Sequence, residues 1–441
     1  MGRPILALSI LIFCAPSVFS LEPATVSVAA LKDVSLRIYG FVESDLITDS
    51  RQGFSESQAN SLVAKDNTFS GSHRRTQMSA RQSRLGLALD LPETSGWKTE
   101  GLLELDFYGN QGPNTDPGSA PGAQTERDFF NNPSLRVRHA VLDATNGRWD
   151  FKAGQYWSLF GWQTEYFPPE ITVQSTPGQL NNRTAQMRAA YTADLGDGLG
   201  AQAAAAIQRP AEMNSGSPVY VAATRLFSSK LQSNVNTGYG SAVKSLSAAV
   251  SLEVVPLETQ GYNNPTCEAL AFQVLVPIIP ASKPGDKANN LAFVGESVVG
   301  SGIGGTELPL LTMGTTGPTA QQVGTAIDSG LAALDAQGNV QPLKVRTFRG
   351  ALTYTLPDPR WAVSAGYAQV EGRGLDRFST SVAVSNAISP KAQYGWAAAF
   401  WDPKPWLRLA AEFSQTRDTY NDPNARFATN NRVQVSSFFV F

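Results

Sequence analysis

Residues 98–110 read KTEGLLELDFYGN, and the order of apolar and polar side chains in this stretch decides the fold. In an extended chain, Thr99, Gly101, Leu103, Leu105 and Phe107 point one way, while Lys98, Glu100, Leu102, Glu104, Asp106 and Tyr108 point the other. Successive side chains of a strand alternate between two faces, so a period of two with one apolar face predicts a half-buried β-strand. Residues 83–91 repeat the pattern, with Leu85, Leu87, Leu89 and Leu91 opposite Arg84, Gly86, Ala88 and Asp90. Residues 134–142 set Leu135 and Val137 against Arg136 and Arg138; near the end, Leu407, Leu409, Ala411 and Phe413 oppose Arg408, Ala410 and Glu412. Helical periodicity explains none of these.

The connections between such stretches alternate in length. Ser95-Gly96, Asn146-Gly147 and Asp197-Gly198 are tight hairpin signals, because two-residue turns need residues that accept positive φ. Asp358-Pro359 and Asp402-Pro403-Lys404-Pro405 mark two more short turns. Long connections rich in Gly, Pro, Asn and Ser lie between them, at 49–75, 111–133, 159–182, 300–342, 372–391 and 417–430. Barrels of the outer membrane have this rhythm, with short turns on one side and long loops on the other. Candidate strands at 36–48, 76–91, 98–110, 134–144, 148–158, 183–193, 199–209, 218–228, 231–240, 243–254, 289–299, 343–356, 361–371, 392–401, 406–416 and 431–441 give about sixteen, the even number such barrels use. The predicted fold is therefore all-β, a transmembrane antiparallel β-barrel over 36–441. Alternation fades over 210–300, and 255–342 reads as a long, poorly patterned insertion in which the apolar run 269–279 is either a strand or part of a loop.

Composition is consistent with this and excludes several alternatives. The chain has 441 residues, 16% charged, with a formal charge of −2, two His and two Cys. Near-neutral charge gives no generic attraction to nucleic acid. Residues 1–20 open with Arg3, run through an apolar core from Ile5 to Phe13 and end in Val18-Phe19-Ser20, the pattern of a cleaved secretory signal peptide. Its apolar core is shorter than the 20 or so residues needed to span a bilayer. Removal takes Cys14 and leaves Cys267, so no disulfide can form within the mature chain. Residues 21–35 then form a short periplasmic segment. No later stretch reaches 18 consecutive apolar residues, which rules out helical membrane spans.

The final residues, RVQVSSFFVF, put Val433, Val435, Ser437, Phe439 and Phe441 on one face. A terminal Phe with alternating apolar partners resembles the signal by which barrel-assembly machinery recognises outer-membrane proteins. The phrases YGFVESDLI, ARQSRLGLALD, RVRHAVLD, WDFKAGQYWSLFG and LAFVGESVVG, in this order, resemble bacterial trimeric porins, and more narrowly the DcaP-like group. The likeness runs from about 36 to the end; 255–342 departs from it and leaves any family-derived choice of solute open. It implies a Gram-negative outer-membrane location, a homotrimer in lipid, and a third long loop folded into the barrel as a constriction. Trp157, Phe160, Trp162, Tyr166 and Phe167 would then pack on the inner wall, with Glu165 and Glu170 reaching the opening. The alternative is an exposed interaction patch at a subunit contact.

With the apolar face toward lipid, about sixteen strands leave an interior too wide for side chains to fill. Parity assigns to it Arg37, Arg84, Arg136, Arg138, Lys152, Arg188, Arg349, Arg408 and Arg432, together with Glu43, Asp45, Asp90, Glu100, Glu104, Asp106, Asp150 and Glu412. Opposed acids and bases across an opening create a transverse field that favours polar and charged solutes, and arginine pairs well with anions. The plainer reading is a set of cross-strand ion pairs that merely satisfy one another. Trp149, Trp361 and Trp406 follow short turns, as an aromatic girdle or as core residues of a soluble sandwich.

His73 and His139 have no neighbouring ligand at metal spacing, and no nucleophile-elbow, zinc-protease or phosphate-loop pattern occurs. The sequence thus reads as no enzyme, with no cofactor and no metal. It reads as a passive diffusion channel for small hydrophilic solutes with a lean toward anions. The competing readings are a β-protein that acts as a receptor or adhesin, and an outer-membrane enzyme.

Overall fold

The computed structural model describes residues 24–27, 33–51, 56, 62–109, 133–171, 176–210, 216–233, 245–258, 262–283, 285–304, 307–308, 332–335, 337–374 and 389–441. The signal peptide expected over 1–20 lies outside them, as does most of the long connection at 300–342.

Sixteen strands close on themselves. The first eight are β1 (Ser35–Asp49), β2 (Arg75–Ser79 continued by Arg84–Thr94), β3 (Trp97–Gly109), β4 (Ser134–Thr145), β5 (Trp149–Trp157), β6 (Arg183–Gly196), β7 (Leu199–Gln208) and β8 (Val219–Gln232). The rest are β9 (Ser245–Pro256), β10 (Thr266–Ile279), β11 (Asn290–Ser301), β12 (Lys344–Thr355), β13 (Trp361–Arg373), β14 (Lys391–Lys404), β15 (Leu407–Thr419) and β16 (Phe427–Val440). Each pairs antiparallel with the next, and β1 closes the cylinder on β16 from Phe41↔Val440 to Asp49↔Arg432. Below that seam, Ala24–Ser27 adds a short strand to β1, pairing with Ser35–Ile38.

Two of the three expected hairpin dipeptides take positive φ at both residues, and at Asn146-Gly147 only Gly147 does, at 86°. Ser95 and Gly96 have φ of 53° and 78°, Asp197 and Gly198 of 52° and 75°, the geometry that carries the strand twist through a two-residue hairpin.

Two expectations are corrected. The strand expected at 231–240 has no place in the wall, because β8 runs to Gln232 and pairs directly with β9; 234–244 lie outside the described residues. Within 255–342, residues 266–279 are strand β10 and 290–301 are strand β11, so that segment is not one insertion. With β10 in the wall and 231–240 not counted in it, the wall still has sixteen strands.

Burial is the inverse of that in a water-soluble protein. Outward-pointing apolar side chains are exposed, among them Met187 at 64%, Val42 at 55% and Phe439 at 51%. Glu43, Asp45, Asp49 and Arg432, on the other face of the wall, are fully buried. Leaving large apolar side chains in water forfeits roughly 1.5–3 kcal/mol each, so a wall with this many of them outward is built for a hydrocarbon surround. Trp149, Trp361 and Trp406 are exposed at the short-turn end, and Trp361 stacks on Trp401 at 5.3 Å; they are not core residues of a sandwich.

Candidate functional site

The densest charged group inside the wall forms where β2, β3 and β4 pair. Arg84 lies opposite Asp106, which in turn lies opposite Arg136. At Arg138 the β4 register slips by one, so Val137 faces Leu105 and His139 faces Glu104. A bulge of this kind re-aims a side chain, and here it turns both Arg138 and His139 to the buried face. Arg138 donates to Glu104 at 2.6 Å and to Asp106 at 2.8 Å. Arg136 donates to both oxygens of Asp106, at 2.9 and 2.5 Å. Arg84 Nε is 3.5 Å from Glu104, and Tyr39 donates its hydroxyl to the same carboxylate at 3.1 Å.

Arg183 completes the group. It stacks on Trp157 at 4.6 Å and lies within the field of Arg84, Arg136 and Arg138 as well as Asp106. Among the described residues no carboxylate comes within ion-pair distance of it. The cluster gathers the guanidinium groups of Arg84, Arg136, Arg138 and Arg183 around Glu104 and Asp106. Sequence parity missed Arg183, because it is the first residue of β6 and falls on the opposite parity to Arg188. Its pairing with Trp157 across the β5–β6 ladder is the placement that turns it inward with that ring.

Several of the other expected charges pair elsewhere. Glu100 pairs with Arg37, which also holds Asp90 at 2.7 Å. Lys152 joins Asp143 and Asp150, and Arg408 joins Asp402 at 2.7 Å. Arg188, with its Nε unpartnered, lies 5.2 Å over the Trp162 ring.

Residues 158–182 connect β5 to β6 and are buried nearly throughout the described part. Phe160 and Trp162 are fully buried, and their short helical turn packs against β8, β9 and β10. Gly161 N donates to Ser251 Oγ at 2.8 Å, and Tyr166 donates to Ser247 at 3.0 Å, both on β9. Glu165 pairs with Arg225 of β8, whose guanidinium also stacks on Trp162 at 4.7 Å. Glu170 pairs with Arg349 of β12 at 2.6 Å, and that guanidinium lies 5.7 Å from Phe167. Burial pushes the Glu170 carboxyl above the usual carboxylate range, and the charge of Arg349 opposes that rise. Ile171 N donates to Glu412 of β15 at 2.8 Å. The segment thus bonds to buried side chains from β8 round to β15, which an exposed patch would not do. Sequence reading also missed Arg225 and the acceptors Glu296 and Glu307; Arg225 shares parity with buried Val221 and Ala223, a signal diluted by alanines on both faces.

Neither a protein-family model nor a curated protein sequence matches the chain. Solved structures do. The outer membrane channel DcaP of Acinetobacter baumannii superposes with a TM-score of 0.62 at 18% identity, over 94% of this chain and 99% of that one. Its fold is that of an outer-membrane channel. OmpF of Salmonella typhi, in complex with daunomycin, gives a TM-score of 0.51 at 12% identity, covering 93% and 98% of the two chains. OprB of Pseudomonas putida at high pH gives 0.51 at 10% identity, covering 92% and 94%. The agreement spans both chains almost end to end, so the barrel is matched as a whole. At these identities the likeness carries the fold, and the placement of Arg183, Trp157 and the 158–182 segment rests on this chain's own geometry.

Proposed function

We propose that this chain is a passive channel of the bacterial outer membrane, exported by a cleaved signal peptide, through which small hydrophilic solutes diffuse with a preference for anions. The observation that carries the reading is a closed, sixteen-stranded wall with apolar residues outward and, inside, a cluster of arginines gathered around Glu104 and Asp106. Residues 158–182 are the constriction. Their hydrogen bonds and cation–π contacts to buried wall residues keep them across the interior rather than outside it. Glu165 and Glu170 pair with Arg225 and Arg349, and at the start of β6 Arg183, stacked on Trp157, adds a guanidinium with no carboxylate within ion-pair distance among the described residues. An anion passing there exchanges water for guanidinium donors in a confined, low-dielectric space, where such contacts are strengthened. The carboxylates prevent the site from holding the anion too tightly to release it. Three such barrels associate, and Phe441 serves as the assembly signal.

Planar-bilayer recording tests this directly. Steps of ion current are expected, with a reversal potential in a KCl gradient on the anion-selective side. Replacing Arg136 and Arg138 together by Gln should move that potential toward cation selectivity. A silent bilayer rejects the channel, and an unchanged reversal potential rejects the role of the arginines.

A further inference from the structure

We infer that the connection from β1 to β2 forms a second narrowing of the channel, nearer the long-loop end than residues 158–182, with Tyr420 and Arg51 as the positioning residues that hold it there. The inference rests on the channel reading. The described residues of this connection are 50–51, 56 and 62–74, and Glu56 and Val63 are fully buried. What buries them is the inner face of the wall beside the closing seam. Glu56 accepts from Ser79 Oγ of β2 at 2.6 Å and from Arg81 at 3.2 Å, and its carbonyl accepts from Arg432 of β16 at 2.7 Å. Ser79 and Arg432 belong to the buried face, whereas the neighbouring Met78 and Val433 are exposed on the outside.

Val63 is held at both of its backbone groups. Its N donates to Asp418 Oδ2 of β15 at 2.6 Å, and Tyr420, just past the end of that strand, donates its hydroxyl to the Val63 carbonyl at 2.6 Å. The Val63 side chain shares an apolar cluster with Tyr420 and Ala428. Lys65 pairs with Asp422 at 2.8 Å and lies 4.6 Å over the Tyr420 ring. Arg51 ties the two arms of the connection together, since Nη1 donates to the carbonyls of Ala64 at 3.2 Å and Gly71 at 2.8 Å while Nε donates to the Thr429 carbonyl of β16. Because Ser79, Asp418 and Arg432 are inward side chains, residues 56 and 63 lie within the cylinder and not above its rim.

Strand β15 carries an anchor for each segment. Glu412 accepts from Ile171 N, and Asp418, six residues nearer the long-loop end, accepts from Val63 N. Six residues of a strand span about 20 Å, so the two segments are stacked along the channel and a solute entering from the loop side meets Val63 first. Narrowings in series add their resistances, and removal of either raises the conductance. The charges of this segment are matched, Glu56 with Arg81, Lys65 with Asp422 and Arg51 with Asp66. It therefore sorts solutes by size, and the arginines around Glu104 and Asp106 sort them by charge.

Thiol labelling of the full-length barrel locates the segment whether or not the protein conducts. In a Cys267→Ala background, Val63→Cys should react with a polar maleimide at least roughly tenfold more slowly than Asp66→Cys, whose side chain is 72% exposed. Adding Tyr420→Ala, which removes the ring and the hydroxyl that hold Val63, should bring the two rates together; Tyr420→Phe, which removes the hydroxyl alone, gives a smaller change in the same direction should Tyr420→Ala fail to fold. Equal rates at positions 63 and 66 with Tyr420 in place overturn the inference. In planar bilayers, Tyr420→Ala should raise the single-channel conductance and leave the reversal potential in a KCl gradient where it was. Unchanged conductance in a variant whose labelling shows release would reduce the segment to wall packing, and a shifted reversal potential would reject sorting by size. Absence of current in every variant would sink the channel reading, and the labelling rates would still report whether the segment lies inside.

Discussion

At the scale of single residues, the sharpest contrast is between charges that are matched and those that are not. Asp49 and Arg432 face each other across the closing seam, fully buried and joined by two hydrogen bonds of 2.8 Å. Removing the acid strands a guanidinium in the wall, so Asp49→Ala is expected to destabilise the barrel by about 3–5 kcal/mol. Urea unfolding from detergent micelles measures this, and a loss near zero would mean that the pair is solvated. Arg183 is the opposite case: it lies among Arg84, Arg136, Arg138 and Asp106, stacked on the Trp157 ring, and among the described residues no carboxylate comes within ion-pair distance of it. Neutralising it should leave stability almost unchanged while shifting the reversal potential toward cations. Parity made Arg136, Arg138 and Glu104 legible in the sequence, because they lie within strands. It could not place Arg183 at a strand end, nor the bulge that turns His139 to the buried side.

At the scale of elements, alternation identifies a strand only where its two faces meet different surroundings. β3 and β4 pass that test, with charges inside and leucines outside. β10 fails it: Leu270 and Phe272 point outward, but its buried face has Gln273 as its one polar side chain among Cys267, Ala269, Ala271 and Leu275, which share an apolar cluster with Leu159, Phe160, Trp162 and Leu180. Packing against the described part of 158–182 puts small and apolar residues among the polar ones on the buried face there, which weakens the contrast between faces, and this is why alternation faded over 210–300. The same packing fixes the segment. Trp162→Ala removes the ring that Arg188 and Arg225 lie over and opens a cavity. A loss of about 3–5 kcal/mol is expected. Single-channel conductance should rise as the segment retracts from the interior; unchanged conductance would place the narrowing elsewhere.

At the scale of the whole molecule, the wall separates two environments one side-chain layer apart, and β12 shows both in adjacent positions. Phe348 is outward and 50% exposed, while Arg349 is buried against Glu170 and Trp396. The next residue along a strand always faces the other way, so the same arginine belongs to the structure at 349 and is foreign to it at 348. Phe348 is the fifth of the twelve residues of its strand, on the outward face that faces hydrocarbon in the channel reading. An arginine there must drag water or headgroups inward, at a cost of about 2–4 kcal/mol for a site at the bilayer midplane. Phe348→Arg should therefore fold less stably into phospholipid vesicles by that amount. In micelles, whose surface deforms more easily around a charge, the loss should be smaller. Equal stability of Phe348→Arg and wild type in vesicles would mean that this side of the wall is not covered by lipid, and the outward apolar surface would then need a protein partner instead.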